Sequence, residues 1–255
     1  MTNNINMRKV FICAMALLAT LSCNNAEMPT SGEGKIAITA ATSGLVATRA
    51  EGITLTTPTL DQLLLEIVGD NFSKQWQSLS QYDSTVERFT AGDYTVSVSY
   101  GDTGAEGYNC PAFAATAAAK VLDRDRTTEV NLTATLANAI VAIKTTEAFD
   151  NYFPVSEFAV TTTNNRFEID KSVTDHLFVA AGQSIKIDCS CIRQSNLAAA
   201  KYETLATQTI PTTAAATRYV VTYDLTTVGS VTITISLNQT IIDTIEIESE
   251  LNPNA

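Results

Sequence analysis

The chain has 255 residues and a formal net charge of −11, with 45% hydrophobic and only 17% charged residues. That is long enough for two domains of ordinary size and too apolar for a disordered acidic tail. So acidic a surface repels phosphate backbones and excludes a nucleic-acid footprint.

The first predicted element is an export signal. Arg8 and Lys9 precede an apolar run, Val10 to Leu21, broken only by Thr20, and Ser22 then precedes Cys23. Charge, apolar run and small residue, in that order, mark a signal peptide rather than a folded helix. At the helical rise its apolar run spans about 18 Å, short of a bilayer core. The cysteine after the cleavage point resembles the lipobox of bacterial lipoproteins, whose thiol carries acyl chains such as palmitate and becomes the first mature residue. Leu21 stands two places before the cysteine, where the usual pattern has leucine three before; the alternative is an ordinary secretory signal. Loss of Arg8 and Lys9 with the signal takes the net charge from −11 to −13. The expected organisation is a signal over 1–22, a lipid-anchored tether over 23–34, and two β-sandwiches over 35–136 and 137–255.

From Lys35 onward the chain reads as short alternating runs rich in β-branched residues and bounded by Gly, Asn, Asp and Pro, the pattern of half-buried strands. Strands are expected at Lys35–Ala41, Gln62–Val68, Thr85–Phe89, Asp93–Tyr100, Thr127–Ala134 and Ala139–Lys144. Glu147 to Phe153 reads as a short helix stopped by Pro154. Further strands are expected at Glu157–Thr162, Arg166–Ile169, Leu177–Ala180, Ser184–Ile192, Tyr219–Leu225, Ser230–Leu237 and Thr240–Glu248. Pro211 to Thr217, threonine and alanine with one proline, reads as an exposed loop. Strands without intervening helices indicate an all-β fold of tandem antiparallel sandwiches rather than βαβ units.

Of five cysteines, Cys13 leaves with the signal and Cys23 is the lipidation candidate. Cys189 and Cys191 are two apart on one strand and point the same way, poor geometry for a mutual disulfide. Buried thiols, or one bridge from either to Cys110, are the remaining readings. No metal site is expected, since a zinc site needs about four ligands and no further histidine or cysteine stands near this pair. No cofactor motif is present. His176 is the single histidine, with no nucleophile partner, and Asp175 beside it points to the other face of a strand. Neither Gly-x-Ser-x-Gly nor a phosphate loop nor His-Glu-x-x-His occurs, so the chain is read as non-enzymatic. Asp123-Arg124-Asp125-Arg126 most simply solvates a turn. Trp76, in the polar segment Asn71–Trp76, is either a sandwich-core plug or a glycan-stacking contact.

Several short segments together resemble the Bacteroidales surface lipoproteins of fimbrillin-like type. They are the anchor cysteine, Gly34-Lys35-Ile36-Ala37-Ile38, Ala47-Thr48-Arg49-Ala50, Phe89–Val96, Pro111-Ala112-Phe113 and Leu136–Val141. The resemblance implies two tandem transthyretin-like sandwiches and a place as subunit, tip, anchor or adhesin of a type V pilus. It also implies outer-membrane, cell-surface location and partners that are the membrane, through lipid, and other pilus subunits, through strand exchange. In polymerising relatives an arginine-specific protease removes the first strand, and Arg49 stands where that cut would fall. A donor would be the hairpin of Val231–Ile235 with Ile241–Ile247. Asp83-Ser84-Thr85 and Asp243-Thr244-Ile245 resemble O-glycosylation acceptors, at Ser84 and Thr244. The alternative role is a glycan-binding lipoprotein of a polysaccharide-uptake system, taking host or dietary glycan through Trp76.

Overall fold

The computed structural model describes residues 32–43, 55–170, 176–226, 230–238 and 247–251. The signal, Cys23, Arg49, Asp175, Thr244 and most of the second donor strand lie outside them. The fold is all-β. In the first half the strands are β1 (Glu33–Thr42), β2 (Leu64–Gly69), β3 (Phe72–Trp76), β4 (Phe89–Thr90), β5 (Gly92–Tyr100), β6 (Gly107–Tyr108), β7 (Phe113–Val121) and β8 (Thr127–Leu136). The second half holds β9 (Asn138–Thr145), helix α1 (Glu147–Tyr152), β10 (Val155–Thr161), β11 (Arg166–Ile169), β12 (Leu177–Ala180), β13 (Ile185–Ile192) and β14 (Glu203–Thr204). It continues with β15 (Gln208–Ile210), β16 (Arg218–Thr226), β17 (Ser230–Asn238) and β18 (Ile247–Leu251).

Seven strands of the first half form one sheet in the order β3-β2-β5-β7-β8-β1-β4. The sheet curls so that its two ends meet: Phe72 of β3 and Phe89 of β4 stack edge-on at 5.3 Å, and Lys74 pairs with Glu87 at 2.6 Å. Inside the curl lie Ile36, Leu65, Ile67, Val96, Val98, Val130 and Leu132, each at most 4% exposed. In the second half a six-stranded sheet, β18-β17-β16-β9-β12-β6, faces a sheet running β11-β10-β13-β14, with β15 also on β13. Phe149, Phe158, Ile187, Val221 and Tyr223 fill the space between the layers.

Among the described residues every pairing is antiparallel except two. β1 runs parallel to β8, and β9 parallel to β16. Parallel neighbours need a long connection, and here nearly a whole half of the chain supplies it each time. Alternation along a strand records which face is buried and carries no information about direction, so these two parallel pairs are a departure from uniformly antiparallel sheets.

The halves interlock. Ile140 and Phe178 belong to the first half's core, and β6, from a first-half loop, adds to β12 of the second half's sheet. Asn138, fully buried, accepts from the Ala112 N–H at 2.6 Å and donates to the Ala105 carbonyl at 3.3 Å.

Two local expectations are corrected, two further strands appear, and the open reading of the cysteines narrows to thiols. Thr85–Val86 is a turn, because Asp83 Oδ1 accepts from both the Thr85 N–H and its hydroxyl; only Phe89 and Thr90 remain strand. Phe72–Trp76 and Phe113–Val121 are strands despite polar and alanine-rich sequences. In the stretch 211–217, Thr213 and Thr217 are 2% and 3% exposed, since the Thr213 hydroxyl bonds the Ala180 carbonyl at 2.9 Å. No disulfide joins the three described cysteines: Cys189 and Cys191 are buried thiols on the core face of β13, and Cys110 is a half-buried thiol.

Candidate functional site: the seat of the first strand

The feature of this molecule with the clearest mechanical consequence is how β1 is held. Its sequence alternates, so Ile36 is fully buried while Ile38 and Ala40 pack against the same core. Eight residues, Lys35 to Thr42, pair with Thr127 to Ala134 of β8. At the two ends the Lys35 N–H donates to the Arg126 carbonyl at 2.7 Å and the Ser43 N–H to the Ala134 carbonyl at 2.9 Å. Odd-numbered residues therefore turn their backbone groups to β8, and even-numbered ones turn theirs to the opposite edge. On that edge β4 pairs only with Glu33 and Gly34, and the Tyr82 hydroxyl donates to the Ile36 carbonyl at 2.6 Å. Beyond Ile36, no strand pairs with this edge among the described residues. Among the described residues the strand is clamped at its start, with no further strand on that edge along its remainder.

The clamp is built from three separate parts of the sequence. Arg124 and Asp125 both have left-handed backbones, φ 64° and 57°, the geometry of a tight turn between β7 and β8. That turn aims the Asp125 N–H at the Glu33 carbonyl, 2.8 Å away. The Asp125 carboxylate meets Lys35 Nζ at 2.9 Å and Arg88 Nε at 3.2 Å. The Lys35 hydrogen bond, aided by the charges of Lys35 and Arg88 and opposed by burial, holds the Asp125 carboxyl below its ordinary range. Gly34 sits where β1 passes closest to its neighbours, and a Cβ there would fall on the Leu122 carbonyl oxygen. Only glycine fits.

Behind Tyr82 stands Trp76, 7% exposed. The two rings meet edge-on at 5.1 Å, and Lys74 Nζ lies 4.7 Å from the indole centroid. Burial, with Glu87 and Asp83 adding to it, pushes the Tyr82 phenol pKa well up, so it stays a hydrogen-bond donor. Trp76 thus supports the residue that holds β1. A ring so covered fits the core-plug reading of Trp76, one of the two that its sequence setting offers.

Ser84 is half-buried in the turn capped by Asp83. His176 is half-buried, and its carbonyl accepts from the Asn109 N–H at 3.2 Å. Among the described residues no cluster of His, Cys, Asp and Glu could hold a metal ion, and no helix is long and apolar enough to cross a membrane.

Two acidic residues that the sequence reading passed over prove central. Asp125 was legible only as part of a solvated charge run, because Lys35 and Arg88 are remote in sequence. Glu106 reaches from the first half into the second. Its carboxylate accepts from Thr162 Oγ1 at 2.6 Å, Asn165 Nδ2 at 2.7 Å, the Ala180 N–H at 3.3 Å and Gln183 Nε2. Burial raises the Glu106 pKa, but these donors outweigh it and hold the group below its usual value.

A model of the family described as "Domain of unknown function (DUF4493)" matches residues 32–253. No curated protein matches the chain. Among solved structures, a "putative cell adhesion protein" from Bacteroides eggerthii is similar at 9% identity and a TM-score of 0.43, over 83% of this chain and 97% of that one. "Putative polysaccharide binding proteins (DUF1812)" from Bacteroides thetaiotaomicron are similar at 6% identity and a TM-score of 0.40, over 87% and 99%. A "fimbrial assembly protein" from Parabacteroides distasonis is similar at 9% identity and a TM-score of 0.39, over 75% and 92%.

Proposed function

The chain belongs to the family described as a domain of unknown function, DUF4493, and we propose that it is a non-enzymatic outer-membrane lipoprotein of fimbrial type. It is displayed at the cell surface through acylated Cys23 and keeps its first strand, as a tip, anchor or adhesin does. The observation that carries this reading is the seat of β1. The eight-residue parallel pairing, the Asp125 clamp and the Tyr82 hydrogen bond hold that strand by contacts that do not depend on the chain beyond Ser43. A cut after Arg49 would leave every one of them in place. The signal, the cysteine and the segments resembling fimbrillin-like lipoproteins support the compartment and the assembly.

The test is to shear surface fibres from the native host and probe them for this protein. Co-purification with the fibres at a low, end-capping ratio is expected. Recovery only as a soluble periplasmic protein would overturn the reading. Ser84 is the favoured modification site for its setting in a polar turn. An intact mass of host-derived protein matching the acylated polypeptide alone would dismiss that assignment.

A further inference from the structure

A cleft of about 320 Å³ opens where the two halves meet. Gln62, Asn109 and His176, with two threonines, are among its polar lining, and Tyr100, Pro111 and Phe178 among its apolar lining. From these residues we infer that the cleft binds a single neutral sugar residue, presented as the end of a glycan.

The volume lies at the small end of ligand pockets, enough for one ring and not for an extended chain. None of the lining residues is a carboxylate, lysine or arginine, although the chain as a whole carries a net charge of −11. A ligand bearing a full charge would find no carboxylate, lysine or arginine to pair with in that lining, and burying a charge unpaired is costly. Sugar hydroxyls, in contrast, need groups that both donate and accept, and carboxamides supply these. The Gln62 carboxamide is oriented before any ligand arrives: its Oε1 accepts from the Thr59 N–H and hydroxyl at 3.0 and 3.1 Å, which leaves its N–H groups for a ligand. Asn109 has a left-handed backbone, φ 54°, fixed by its N–H bond to the His176 carbonyl. Its carboxamide makes no hydrogen bond among the described residues. Tyr100 and Pro111 supply apolar surface of the kind on which the C–H face of a sugar ring packs.

The inference does not rest on the retention of β1, because none of these residues belongs to that strand or its clamp. The experiment is a titration of the folded protein with galactose, glucose, fucose, N-acetylglucosamine and N-acetylgalactosamine, with glucuronate as the charged comparison, read by amide NMR shifts. At least one neutral sugar should shift Gln62, Asn109 and His176 saturably, with millimolar affinity, while glucuronate binds more weakly. Asn109→Gly keeps the backbone conformation and removes the side chain; it should weaken binding roughly tenfold. No saturable shift at these residues with any neutral sugar would overturn the inference, as would tighter binding of glucuronate or unchanged affinity in Asn109→Gly.

Discussion

At the scale of single residues, two carboxylates deep in hydrogen bonds and ion pairs do most to tie distant parts of the chain together. Glu106 joins a first-half loop to three second-half side chains and one backbone N–H. Glu106→Gln keeps the shape but removes the charge and faces some donors with a donor, so a loss of about 1–3 kcal/mol is expected in denaturant unfolding. The pH dependence follows from the lowered pKa. The folded group holds its proton less tightly than the unfolded one, whose value is 4.5, so its contribution is complete above that pH. It is lost as pH falls through the lower folded value. Wild-type stability should therefore drop below pH 4.5 more steeply than that of Glu106→Gln; parallel curves would contradict the account. Asp125 obeys the same sign, its carboxyl also being lowered. Asp125→Asn should speed amide hydrogen exchange in residues 33–36 while leaving the second half unchanged.

The elements show where a single sequence is informative. β13 was plain because Ile185, Ile187, Cys189 and Cys191 repeat at period two on the buried face, and α1 because Pro154 stops it; the Thr146 cap, accepting from the Phe149 N–H, adds a start signal that the structure supplies. β7 was not, because its alanines have little strand preference of their own and pair because β5 and β8 lie on either side of them. β3 was hidden for a related reason: Ser73, Lys74 and Gln75 are exposed on an edge strand, and only Phe72 and Trp76 turn inward. The candidate site was half visible. Its strand was read correctly, while its clamp was not, since nothing local announces that residues 35, 88 and 125 converge. The element is testable through its tightest point. Gly34→Ala drives a Cβ into backbone at Leu122 and Arg126, and should destabilise the first half by roughly 1–3 kcal/mol and raise exchange along β1. Tyr82→Phe, removing the bond to the Ile36 carbonyl, should cost about 1 kcal/mol.

For the whole molecule, the account combines a lipid anchor with a body whose first strand stays in place. Two or three acyl chains, each methylene contributing about 0.8 kcal/mol on burial, hold a protein at the membrane. Cys23→Ala should therefore move the protein to the soluble fraction of native cells; continued sedimentation with membranes would refute the anchor. The central claim concerns β1, because a strand that leaves would expose the β8 edge and a hole where Ile36 sat, a state that takes up a neighbour's strand. The most direct measurement is trypsin treatment of the purified mature protein, followed by mass analysis and by an unboiled gel. The account predicts a monomer in which residues 33–42 remain bound after any cut at Arg49. Loss of that strand with a ladder of oligomers on the gel would contradict it.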